Sequence, residues 1–179
     1  MDNSFTSPPP PPPTTTAVAL RYGVLTGLVS TVFTLMLFLT KNEQSNLRWL
    51  SMAISIAGIY LAHQEFKKRN GGFMAYGQAL SIGTLLSVIA GTISGAVTYV
   101  YVTYIDTSYL TRALDMTRAQ MEARGDMADA DIDTALEISA KFMNGGALLI
   151  FSILGGALFG FILSLIIGAI TKNSPPEFE

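Results

Sequence analysis

The sequence predicts an all-α, polytopic membrane protein: four transmembrane helices, with a two-helix amphipathic insertion between the third and the fourth. Three observations predict it. Only 13% of the 179 residues are charged, against roughly 25% in an ordinary soluble domain. Those charges leave four long gaps: 19 residues between Arg21 and Lys41, 16 between Arg48 and Glu65, 36 between Arg69 and Asp106, and 30 between Lys141 and Lys172. Hydrophobic residues make up 50% of the chain, too many for a disordered protein and too many for a soluble fold this small to cover with polar surface. A hydrocarbon core about 30 Å thick takes about 20 helical residues. A charge at its centre costs at least ~2.5 kcal/mol, so a charge-free gap is where a crossing fits.

Residues 1–16 read as a disordered tail. Pro8 to Pro13 are six consecutive prolines, which fix φ, lack an N–H and form an extended polyproline II rod. The first span is expected at about 18–40, with Arg21 near enough to its end to snorkel, and it is expected to act as an uncleaved insertion signal. The second, at about 47–64, is the weakest, because Ser51, Ser55 and His63 dilute it. Trp49 and Tyr60 stand near its ends, where amphipathic rings favour the interface. The third lies within Phe73–Ile105, too long for one crossing, so 79–101 is expected to span, with Tyr99, Tyr101 and Tyr104 as an aromatic collar at the far end. The fourth, at about 146–171, is the most apolar. Residues 173–179, with Pro175-Pro176, form a C-terminal tail that stops the helix.

The segment between the third and fourth spans holds 12 of the 24 charges, from Asp106 to Lys141. Leu110, Leu114, Thr117 and Met121 recur at helical spacing, as do Ile132, Ala135, Leu136, Ser139, Phe142 and Met143. Arg124-Gly125-Asp126 reads as a helix stop followed by a new N-cap, so a helical hairpin is expected at about 107–144. Asp129, Asp131 and Asp133 resemble the start of a calcium loop. However, Thr134 stands where such a loop needs glycine and Ala140 where it needs glutamate. An acidic first turn complementing the helix dipole fits better.

Four crossings put both termini on one side. Lys67, Lys68 and Arg69 crowd into one short loop on that side, and positive residues in short loops hold orientation. The termini and this loop are therefore expected in the cytoplasm.

Lipid gives no hydrophobic reward for helix association, so close backbone approach decides packing. Helix four carries Ser152, Gly156, Gly160, Ser164 and Gly168 at every fourth position. Helix three carries Ala79, Gly83, Ser87, Gly91 and Gly95, and helix one carries Gly23 and Gly27. These stripes predict close contact between helices three and four. A pore or transport motion is the functional alternative for the same glycines.

Chemistry is harder to find. There is no cysteine and one histidine, His63, so thiolate chemistry and a histidine metal triad are excluded. The spans carry no intramembrane carboxylate or ammonium, the usual mark of an ion or proton pathway. Serine and threonine within them can bond their own helix backbone. His63 reads as an interfacial hydrogen-bonding residue. A net charge of −2 with no basic stripe excludes nucleic acid as a partner. The expected protein is not an enzyme and needs no cofactor. It is a structural or accessory membrane component whose partners are the lipid bilayer and other membrane proteins or a second copy of itself. The alternative is a small oligomeric transporter or channel.

One resemblance joins these parts. Phe66-Lys67-Lys68-Arg69-Asn70-Gly71-Gly72-Phe73, Tyr76-Gly77-Gln78-Ala79, Gln120-Met121-Glu122-Ala123-Arg124-Gly125, Lys141-Phe142-Met143 and the closing Ile166-Ile167-Gly168-Ala169-Ile170-Thr171-Lys172 are similar to an uncharacterised family of small four-helix membrane proteins of Bacteroidota, a domain of unknown function. The likeness runs from about Ala17 to Lys172. It implies a bacterial inner-membrane location, and brings no activity or functional residue.

Overall fold

The computed structural model describes residues 12–42, 46–142 and 144–174. Six α-helices follow one another: α1 Thr15–Leu39, α2 Trp49–Arg69, α3 Tyr76–Val100, α4 Tyr109–Arg124, α5 Asp129–Phe142 and α6 Gly145–Thr171. Four of them form the bundle. The remaining pair, α4 and α5, packs against itself. α3 lies at the centre of the bundle, against α6 on one side and α1 on the other, and α2 leans across all three.

Three of the described helices are long and apolar enough to cross a membrane: Thr15–Leu39, the α3 stretch Tyr76–Ile105 and Gly146–Thr171. The fourth expected span, over α2, is not among them. At 21 residues α2 is long enough at 1.5 Å per residue, but it does not reach the same apolarity. The physical reason is its composition: Ser51, Ser55, His63 and Gln64 turn polar groups into the helix, and Glu65 to Arg69 charge its last turn.

Local chemistry sets the boundaries. α1 starts at Thr15, inside the expected tail, because Thr14 caps it: its Oγ1 accepts the Ala17 N–H at 3.1 Å. The rest of that tail, residues 1–11, lies outside the described residues, as do 175–179 of the expected C-terminal tail. The Lys67, Lys68 and Arg69 cations sit at the C-terminus of α2, where they complement its dipole. A tight turn follows, with Gly71 at φ 63° and Gly72 at φ 90°, conformations that glycine adopts without a Cβ penalty. Gln78 Oε1 accepts the Ala75 N–H at 2.8 Å at the start of α3. α3 runs on through a π-helical turn, Tyr101–Ile105, so the helix continues beyond the expected end of the third span. Tyr101 opens that turn and points inward, in ordinary helical phase with Gly83. It is 6% exposed, with its ring 4.9 Å from Phe38. Of the expected tyrosine collar, Tyr104 points out at 71% exposed and meets Tyr99 edge-on.

The main core occupies the end of the bundle that holds the start of α1 and α3 and the end of α2 and α6. Val18, Ala19, Ile59, Ala62, Phe66, Met74, Ala79, Ile82, Leu86 and Ile167 meet there. A smaller cluster of Phe38, Tyr101 and Val102 closes the opposite end, joined by Tyr109 from α4.

The hairpin reads Tyr109–Arg124 and Asp129–Phe142, inside the expected 107–144. Gly125 ends α4 in the left-handed conformation, φ 67°. Asp126 is not the new cap, since α5 begins three residues later at Asp129. Ile132 is buried between the two helices at 1% exposed.

Candidate functional site

Three places in the molecule bring polar or backbone groups together: a seam, a knot and a cavity. The seam joins α3 to α6. Small residues meet in antiparallel register at every fourth position of both helices. Gly95 faces Ser152, Gly91 faces Gly156, Ser87 faces Gly160, Gly83 faces Ser164 and Ala79 faces Gly168. A Cβ added at Gly91 would stand 2.6 Å from the Ser152 carbonyl oxygen, and one at Gly156 would stand 3.1 Å from that of Ser87. Both neighbours are backbone and cannot yield. At Gly160 and Gly83 an added Cβ would collide with the side chains of Ser87 and Ser164. Gly23 and Gly27 sit on α3 by a different face, against Leu86, Ile89 and Ala90. One further glycine belongs to this packing and was not picked out from the sequence: Gly58 of α2, whose Cα leaves room only for Thr26 of α1. Only Ala62 repeats it at four residues, between Ile54 and Phe66, so no extended stripe signals it.

The knot is His63. It is fully buried, so its hydrogen bonds go to neighbouring helices. Its Nε2–H donates to the Ala79 carbonyl at 3.0 Å, because a carbonyl can only accept. Its Nδ1 lies 2.8 Å from Thr171 Oγ1, and Thr171 Oγ1 also lies 2.8 Å from the Ile167 carbonyl. Residues 16 and 108 positions away in sequence thus hold α2 to the start of α3 and the end of α6. Alongside it, Met74 and Asn173 exchange backbone hydrogen bonds of 2.7 and 2.9 Å, and Asn173 Nδ2 donates to the Gly72 carbonyl at 3.0 Å. The Lys67–Arg69 turn is thereby tied to the end of α6, and Arg21 and Glu65 stand 4.0 Å apart on the same end.

The cavity, of about 210 Å³, lies within the bundle between α1, α2, α3 and α6. α1 contributes Thr26, Ser30 and Thr34, one turn apart along one face. Ser51 and Ser55 of α2 face them, and Ser87 and Ser94 come from α3. Its lining contains no formal charge, and the apolar part is Leu86, Ala90 and Phe159. Some helical hydroxyls of this chain bond the carbonyl four residues back, as at Thr92, Thr117, Thr134, Ser139, Ser152 and Ser164. In the cavity Ser55 does the same, and Ser94 meets Thr31 at 3.2 Å. The other five hydroxyls, of Thr26, Ser30, Thr34, Ser51 and Ser87, make no hydrogen bond among the described residues. In sequence they are like any serine or threonine able to bond its own helix.

The hairpin carries the strongest charge pairing. Arg112 grips Asp106 with two hydrogen bonds, 3.1 and 2.7 Å, and this holds the Asp106 carboxyl below its usual value. Arg118 bonds Asp133 across the hairpin and lies 3.6 Å from Glu122. The Asp133 carboxylate holds the guanidinium pKa above its ordinary value. Among the described residues no three histidine, aspartate or glutamate side chains converge as metal ligands.

The architecture is thus an all-α bundle of apolar helices with a polar hairpin on one end. The chain belongs to the family described as Protein of unknown function (DUF4199), whose pattern matches residues 21–173. No curated protein and no solved structure matches it. Family and apolar helices together point to a membrane protein, and bring no activity and no partner.

Proposed function

We propose that this chain is a four-span protein of the bacterial inner membrane, with both termini in the cytoplasm, acting as a non-enzymatic structural or accessory component that binds other membrane proteins or a second copy of itself. The observation that carries the reading is the α4–α5 hairpin. It is held together by Ile132 and the Arg118–Asp133 pair, meets the bundle chiefly through Tyr109, and carries 11 of the chain's 24 charged residues. A segment that stabilises itself and leaves its charged faces free is suited to a partner rather than to the bundle. The fourth crossing is α2. It runs the length of the bundle, with Ser51 beside Thr34 of α1 at one end and His63 beside the start of α3 at the other, and its polar groups turn inward, where a span tolerates them.

In-cell crosslinking from Ala123→Cys or Ala140→Cys, both on the hairpin, tests this reading. A discrete crosslinked species that disappears with Arg118→Glu supports it, and a hairpin that crosslinks to nothing under labelling conditions contradicts it. The second reading, a small transporter or channel, is favoured by the hydroxyl-lined cavity alone. Solute flux in proteoliposomes would establish it.

A further inference from the structure

We propose that the outer groove between α1 and α2 holds one acyl chain of an anionic phospholipid, whose phosphate is received by Arg21 and Lys68 at the groove's end. The groove, of about 280 Å³, is lined by residues of these two helices alone. Its floor is Thr26 seated on Gly58, where the helices approach so closely that no Cβ fits on the glycine. Its walls are Leu25 and Val29 of α1 and Leu61 of α2, each at least half exposed. From Tyr22 to Val29 it runs about 10 Å along α1 at 1.5 Å per residue, about a third of a 30 Å hydrocarbon core. An apolar groove between two spans suits a hydrocarbon chain. Which lipid supplies that chain depends on what stands at the end of the groove.

Tyr22 closes that end, packed against the main core. Arg21 stands beside it with its side chain 66% exposed, and Glu65 is 4.0 Å away. That separation is beyond hydrogen-bond reach, so the five guanidinium donors are available to a phosphate. Lys68 follows Leu61 by seven residues, two turns on in nearly the same helical phase. Side chains lean toward the N-terminus of their own helix, so those of Arg21 and Lys68, on antiparallel helices, lean toward one level. Among the described residues four cations, Arg21, Lys67, Lys68 and Arg69, stand here against one carboxylate, Glu65. A lipid phosphate with a net negative charge complements that balance. A phosphatidylethanolamine would bring its own ammonium to a place already crowded with cations. Each lysine or arginine near an anionic headgroup favours binding about fivefold.

The inference rests on the reading that α1 and α2 both cross the bilayer, and one experiment separates the two. The chain's one tryptophan, Trp49, lies at the other end of α2, so Trp49→Phe gives a silent background in the full chain. Tyr22→Trp then reports from the groove, and Leu158→Trp reports from the general lipid face of α6, where Leu158 is 63% exposed. Quenching by brominated phosphatidylglycerol is compared with quenching by brominated phosphatidylcholine in proteoliposomes. The anionic lipid is expected to be preferred roughly tenfold at Tyr22→Trp and not at Leu158→Trp. Arg21→Gln and Lys68→Gln should each lower the preference about fivefold. Lys172→Gln, on α6 at the same end and over the Tyr76 ring, should leave it unchanged. Ala57→Phe puts a ring into the groove and should remove it. Quenching at both tryptophans with no difference in preference overturns the site alone. A preference that Ala57→Phe leaves intact, or that inorganic phosphate abolishes, assigns the cations to a headgroup or a free anion and overturns the acyl chain in the groove. Should Arg21→Gln lose its unfolding transition, Lys68→Gln carries the result. Quenching of Leu158→Trp with none at Tyr22→Trp shows the α1–α2 face outside the lipid, and overturns the four-span reading together with the site.

Discussion

The two faces of α3 make different use of the same residue types. Toward α6 its small residues close a seam in which backbone touches backbone; the α6 serines there, Ser152 and Ser164, bond the carbonyl four residues back, and the hydroxyl of Ser87 packs on Gly160. Toward α1 and α2 small hydroxyl residues at the same four-residue spacing leave a space, and four of them, Thr26, Ser30, Thr34 and Ser51, bond nothing described. Spacing alone does not separate a seam from a cavity. What separates them is the facing residue. Where glycine or alanine meets each small residue the helices close, and where threonine and serine meet leucine, alanine and another serine they stay apart.

Breaking the seam should have the largest effect. Gly91→Leu drives a side chain into the Ser152 carbonyl, and overpacking of this kind costs about 1–3 kcal/mol or more. Unfolding in a detergent titration should show a loss at the top of that range. Next comes the knot. His63→Ala leaves Thr171 without its partner and a gap in the core, for a cost of about 2 kcal/mol. Thr171→Val should give a smaller loss in the same titration, because the histidine keeps its bond to Ala79.

The cavity predicts the opposite sign. Thr26→Val removes a buried hydroxyl that packs on Gly58 and that no protein group satisfies, so it should leave stability unchanged or raise it by up to about 1 kcal/mol. Ser164→Ala, across the seam, should lower stability by about 0.6 kcal/mol, the average for a hydrogen bond of a membrane-embedded side chain. A Thr26→Val loss as large as that of Ser164→Ala would erase the distinction between the two faces.

The smallest effect is electrostatic and lies outside the bundle. Arg112 lowers the Asp106 carboxyl below its ordinary value of 3.8. A group depressed in the folded state stabilises above its unfolded pKa and loses that contribution as pH falls through the folded one. Hydrogen exchange in the first turn of α4 should therefore be slow and pH-independent in protection near neutrality, and lose protection in acid below about pH 3.8. Asp106→Asn should remove the acid step.

Much of this was legible in one dimension because membranes enforce one-dimensional rules. Charge-free length marks a span, so α1, α3 and α6 follow from the gaps. Close approach needs small residues at a fixed period, so the Gly83, Ser87, Gly91 and Gly95 stripe is visible before any contact is known. Gly125 stops α4 because few other residues adopt its backbone angle. The rest depends on what comes to face what. His63 sits close in sequence to charged residues at the end of α2, and only the fold brings Thr171 and Ala79 around it. Tyr101 turns inward because it stands in helical phase with Gly83, and only the fold shows Phe38 and Tyr109 close to it. The hydroxyls of Thr26, Ser30 and Thr34 are, in sequence, like any serine or threonine able to bond its own helix. α2 was counted from its missing charges, whereas its inward polar groups lower its apolarity.

That helix carries the account, because the cavity, the knot and the position of the hairpin all require α2 to cross. The direct measurement is impermeant thiol labelling of Asn42→Cys, before α2, and Ala75→Cys, after it, in the full chain in intact cells. The account predicts that Asn42→Cys is labelled from outside and Ala75→Cys only after the membrane is opened. Labelling of both from the same side would mean that α2 does not span, and would contradict it.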